Sequence, residues 1–130
     1  MPSDNAALVA AYWREFRLLR GPREDQLLLE SEGYATGEVD EIISGDPFAA
    51  LTFLDALLAA DDADLYYFAA GPLEELLVAH GARVAQAVAD RCARSQEWRE
   101  AVGAVWLDDQ EWAALKPLRP LLPMRECGVT

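Results

Sequence analysis

The chain has 130 residues, 52% of them apolar, and a formal net charge of −12 at pH 7. That length fits one domain and leaves no room for two ordinary ones, and the apolar fraction is that of a folded protein rather than a disordered one. So much acid argues against binding nucleic acid directly or lying on an anionic membrane, since phosphates on either would repel it.

The acid is gathered in one place. Residues 1–20 carry Arg14, Arg17 and Arg20 against Asp4 and Glu15, and residues 81–130 carry seven bases and seven acids. Residues 21–80 carry fourteen acids against Arg23 alone, so the whole imbalance lies in that stretch. Charge of one sign concentrated on one part of a surface makes a directed field, which governs which partners approach and how fast. No apolar run approaches the ~20 residues needed to span a bilayer. No basic head followed by an apolar stretch and a cleavage site is visible at the start, so no secretory signal is expected. Cys92 and Cys127 are too few and too far apart to form a disulfide framework, which points to free thiols in the cytoplasm.

In chain order the pattern is helix after helix. Ser3 or Asp4 can cap a first helix running to about Arg20, with Leu8, Val9, Tyr12, Trp13, Phe16 and Leu19 at helical spacing before Gly21-Pro22 stops it. A short helix is expected over about 22–31, with Leu27, Leu28 and Leu29 apolar. A loop follows between Gly33 and Gly37, then one or two turns over Glu38–Ser44 with Val39, Ile42 and Ile43 inward. Asp46-Pro47 is a start signal, an acceptor at the cap followed by a proline whose missing N–H costs nothing in the first turn. The helix it opens, about 47–60, is apolar almost all round and has to be central. Asp61, Asp62 and Asp64 precede a segment with Leu65, Tyr66, Tyr67 and Phe68 that Gly71-Pro72 is expected to end. A new helix then runs to Gly81. Residues 82–94 place Val84, Val88 and Cys92 at four-residue intervals. Ser95 caps a helix whose Trp98, Ala101, Val102, Val105 and Trp106 form an inward stripe, and a last short helix starts at Asp108 or Asp109 with Trp112 and Leu115. No useful segment alternates with period two, so no sheet is expected. The fold expected is a single irregular all-α bundle of about six to eight helices, possibly stacked in short HEAT-like pairs, with residues 116–130 as an extended proline-rich tail.

Gly71-Pro72-Leu73-Glu74-Glu75-Leu76-Leu77, then His80-Gly81, Trp98-Arg99 and Val105-Trp106-Leu107, resemble a bacterial family of small helical proteins of unknown function. The resemblance spans roughly 46–107. It implies an all-helical fold, and it implies no activity, substrate or catalytic residue.

The candidate sites are weighed against plain structural roles. His80, the one histidine, shares a face with Leu73, Leu76 and Leu77 at the last turn of its helix, where it can bond terminal carbonyls and complement the negative helix end. Cys92 lies on an apolar stripe, so packing outweighs a nucleophilic role beside His80. Glu74 and Glu75 follow Pro72, where acids favour a helix start, and one of them is free to serve a partner. Asp61-Asp62-Ala63-Asp64 invites a calcium reading, but Tyr66, Tyr67 and Leu73 stand where that loop needs an oxygen ligand, a glycine and a glutamate. No metal, cofactor or catalytic residue is assigned. Glu30, Glu32, Glu38, Asp40 and Glu41 make the densest acidic patch, with the aromatic Tyr34 among them. Asp61, Asp62 and Asp64 beside Tyr66 make a second. Like charges at helical spacing cost a few tenths of a kcal/mol per pair, so local stability does not ask for them. Solubility explains part of the patch, and Arg14, Arg17 and Arg20 can neutralise some of it. In the tail, Pro117, Pro120 and Pro123 recur every third residue, as in a polyproline II strap or ligand.

The function expected is a non-enzymatic module binding a basic protein partner, a nuclease or other nucleic-acid-binding protein, as an immunity protein or nucleic-acid mimic would. Two other readings stay open. One is a carboxylate enzyme using a divalent metal; the other is a structural subunit in which Trp13 and Trp112, on the terminal helices, are exposed for contacts between chains.

Overall fold

Asp46 and Pro47 open the helix around which the others are arranged. In the computed structural model, which describes residues 3–113 and 115, Asp46 Oδ2 accepts from the Ala49 N–H at 2.8 Å and Pro47 takes the first position of α4 (Pro47–Ala59). Ala50, Leu51, Phe53, Leu54 and Leu57 of α4 are buried, while Phe48 and Thr52 on its other side face solvent. A helix so apolar can be stable in water only when most of it is covered. The cover comes from α1 (Ser3–Leu19), α3 (Thr36–Ser44), α6 (Glu74–His80) and α7 (Ala82–Arg94).

Trp13 corrects the expectation that the first helix might present its tryptophan outward. Its ring is fully buried, and Nε1 donates to the Leu57 carbonyl of α4 at 2.9 Å. The hydrogen bond lets a polar indole N–H enter the core without an orphaned donor. Tyr12, Phe16 and Tyr67 pack round it, with Tyr12 edge-on at 5.3 Å and Phe16 edge-on at 5.8 Å between ring centroids.

Helix α2 (Arg23–Glu32) buries only Leu29 and leaves Leu27 and Leu28 exposed, so it lies as a flap against α1. Gly33 closes it at φ +96°, a left-handed value that favours glycine, and its N–H bonds the Leu29 carbonyl at 2.7 Å. Helix α3 begins two residues earlier than its hydrophobic pattern suggests, because α1 supplies its cap. Glu15, only 4% exposed, accepts from the N–H groups of Ala35 (2.6 Å) and Thr36 (3.3 Å) and from the Thr36 hydroxyl. One carboxylate thus satisfies donors that a helix start leaves orphaned.

Gly71-Pro72 does not end a helix. Helix α5 (Leu65–Phe68), capped by Asp64 through the Tyr67 N–H at 2.9 Å, passes into a π-helical turn, Ala69–Leu73, and straight on into α6. Pro72 has no N–H to give and its ring crowds the carbonyl one turn back. Widening the turn, so that the Glu74 N–H reaches back to the Ala69 carbonyl, accommodates both.

Gly81, at φ +51°, separates α6 from α7, which buries Val84, Ala85, Val88, Ala89 and Cys92. Ser95 Oγ caps α8 (Gln96–Gly103) through the Trp98 N–H at 3.2 Å, and α7 and α8 pack as a pair. Trp98, Ala101, Val102 and Val105 are buried as the stripe predicts, but Trp106 is 78% exposed. Helix α8 stops at Gly103, so Val105 and Trp106 lie beyond it and the helical stripe does not extend to them. Asp108 and Glu111 then exchange side-chain-to-backbone hydrogen bonds at 2.7 and 2.9 Å, a capping box that opens α9 (Asp109–Ala113). Among the described residues there is no strand, and no helix is long and apolar enough to cross a membrane. The side chains of Ser3, Asp4 and Trp112, as well as Cys127 and the proline-rich tail from Lys116, lie outside the described residues.

Candidate interaction site

Helix α3 has the sequence Thr36–Ser44, in which Val39 and Ile43 face the core. That spacing leaves Glu38 and Glu41 exposed and sets Asp40 and Ser44 along the flank towards α6. In α6, Leu76 and Leu77 are buried, which turns Glu74, Glu75, Val78 and Ala79 away from the core. His80 ties the two helices together, its Nε2 lying 2.7 Å from the Ile43 carbonyl near the end of α3. The histidine does bond a terminal carbonyl, but that of the neighbouring helix rather than of its own.

Between α3 and α6 runs an open groove of about 430 Å³, lined by Asp40, Ile43, Ser44, Glu74, Glu75, Val78 and Ala79. Its walls are apolar at Ile43, Val78 and Ala79 and carry three carboxyl groups. Glu75 is pushed up to about 7, first by partial burial, then by the charge of Asp40 and a hydrogen bond with it, then by Glu74. Glu75 therefore keeps its proton at a pH where isolated carboxyls have lost theirs. From Thr36 to His80 the chain has ten acids and no lysine or arginine. Among the described residues no ion pair reaches Glu38, Asp40, Glu41, Glu74 or Glu75.

The remaining acids predicted for a partner are placed differently. Glu30 is exposed on α2, Glu32 is paired with Arg14, and Tyr34 is exposed in the turn between α2 and α3. Asp61, Asp62, Asp64 and Tyr66 form a separate corner between α4 and α5 and do not line the groove. There Asp62 pairs with Arg17, Asp64 is the cap of α5, and Tyr66 is 75% exposed while Tyr67 turns inward. Arg14 and Arg17 of α1 therefore neutralise one acid each.

Val78 is a lining residue with no signal in the sequence, and from the sequence Glu74 and Glu75 are expected mainly as a helix start, with a partner role as the lesser reading. The explanation of the two glutamates as a fresh helix start after Pro72 does not hold, because α6 continues a helix already under way. The available signal was their position opposite Leu73, Leu76 and Leu77. Their meeting with Asp40 depends on α3 docking against α6, which no local pattern records.

A second cleft, about 520 Å³, is lined by Asp55, Leu58, Leu65, Ser95, Glu97 and Trp98 among others. Its polar groups are already engaged: Arg91 donates to both oxygens of Asp55 at 2.8 Å, and Trp98 Nε1 donates to Oδ1 at 3.1 Å. Cys92 is fully buried, and burial pushes its thiol up to about 11, the opposite of an activated nucleophile. Among the described residues no three His, Cys, Asp or Glu side chains gather in a way that could hold a metal ion.

Fold and surface together define an all-helical protein whose α3–α6 face carries no cation among the described residues. Over residues 29–119 the sequence matches a family described as a family of unknown function (DUF6869), and the chain belongs to it. The match takes in the whole of the acidic patch Glu30, Glu32, Glu38, Asp40 and Glu41, which lies outside the 46–107 segment that carries the motif resemblance. No curated protein and no solved structure matches the chain.

Proposed function

We propose that this chain is a non-enzymatic interaction module that docks on a basic protein surface through the acidic face of α3 and α6. The observation that carries the reading is the placement of Glu38, Asp40, Glu41, Glu74 and Glu75 on two packed helices, unpaired among the described residues, in a stretch without lysine or arginine. Folding gains nothing from crowding these charges, whereas a cationic partner would gain both attraction and orientation. Exposed Tyr34, in the turn that leads into α3, and Val78 supply the aromatic and apolar contacts that interface centres favour. The partner class that fits is a cytoplasmic nuclease or other nucleic-acid-binding protein, whose cationic cleft would receive carboxylates where phosphates otherwise sit. In that role the module acts as an immunity protein or nucleic-acid mimic.

The test is capture from the host's lysate, washed at low and at high salt, with the wild type beside the triple variant Glu38→Lys, Asp40→Lys, Glu41→Lys. The wild type is expected to retain a basic protein at low salt and lose it at high salt. The variant, with an unchanged helical spectrum, should associate roughly 10–100-fold more slowly and with a flattened salt dependence. A partner that binds both forms at equal rates would sink the reading.

A further inference from the structure

We draw no further inference here: the strongest candidate, the cleft between α4, α5 and α8 lined by Asp55, Leu58, Leu65, Ser95, Glu97 and Trp98, has Asp55 taken up by Arg91 and Trp98 and Ser95 Oγ by Glu97 and the Trp98 N–H, and nothing in the structure shows what would fill it.

Discussion

The acids of this chain form two groups that differ in what stands opposite them. On the flanks three are partnered: Glu32 meets Arg14, Asp62 meets Arg17, and Asp55 receives two hydrogen bonds from Arg91 and one from Trp98. Glu15, deepest of all, holds the start of α3. On the α3–α6 face the same residue types meet only one another. A carboxylate that fixes donors of its own fold is part of the structure, and neutralising it should cost stability. A carboxylate surrounded by other carboxylates costs stability by being charged, and its use must lie outside the chain. The two exposed arginine pairs blur the line slightly, because half-exposed surface pairs contribute little.

Glu15→Ala should be the most damaging of the carboxylate changes. It strips acceptors from the Ala35 and Thr36 N–H groups and from the Thr36 hydroxyl in a nearly closed site. Lost capping and an orphaned buried donor together predict a loss of about 3 kcal/mol. Urea unfolding would measure it, and a loss below about 1 kcal/mol would mean that water replaces the carboxylate and the cap is dispensable. Asp55→Ala comes next. It leaves the Trp98 indole N–H, on a buried ring, without its acceptor and removes the group whose hydrogen bond raises the Arg91 guanidinium. Because Asp55 is partly open to solvent, about 1–2 kcal/mol is expected by the same measurement. A change near zero would move Asp55 into the group that does not serve the fold.

What could be read in the sequence follows the range of the interactions. Asp46-Pro47, Ser95 and the Asp108 box are helix starts written in two to four adjacent residues, and each stands where its pattern places it. The inward stripe of α8 holds for Trp98, Ala101 and Val102 and fails at Trp106, because Gly103 ends the helix before the stripe is complete. Gly71-Pro72 misleads for a related reason. It is a strong local stop signal, yet packing of Phe68, Ala69, Pro72 and Leu73 into the core carries the helix through as a wider turn. Trp13 was open to either reading until the Leu57 carbonyl supplied a partner for its N–H. The candidate site was half visible: Glu38, Asp40 and Glu41 stand out by density alone. Glu75 becomes notable only when α3 is docked on α6, and that contact is set by Val39 and Ile43 meeting Leu76 and Leu77 in a shared core.

The sharpest separation of the two groups comes from the pH dependence of stability. The folded pKa of Glu75 is raised from the ordinary 4.5 to about 7, so between those values the native state binds a proton that the unfolded chain does not. Stability drawn from this group is fully present below the lower value, declines as pH rises between the two, and is gone above the upper one. Glu75→Gln keeps a neutral side chain at every pH and removes that decline. The variant should therefore match the wild type at low pH and become progressively more stable relative to it between pH 4.5 and 7, with a constant advantage above. Asp55→Asn provides the control of opposite character, since it removes a partnered charge and should never exceed the wild type. Urea midpoints measured across that range decide the matter. Parallel curves for wild type and Glu75→Gln would mean that Glu75 ionises as an ordinary exposed carboxyl. A widening gap would show that the acidic face is held at a cost to the fold, which is the physical signature of a surface kept for something other than folding.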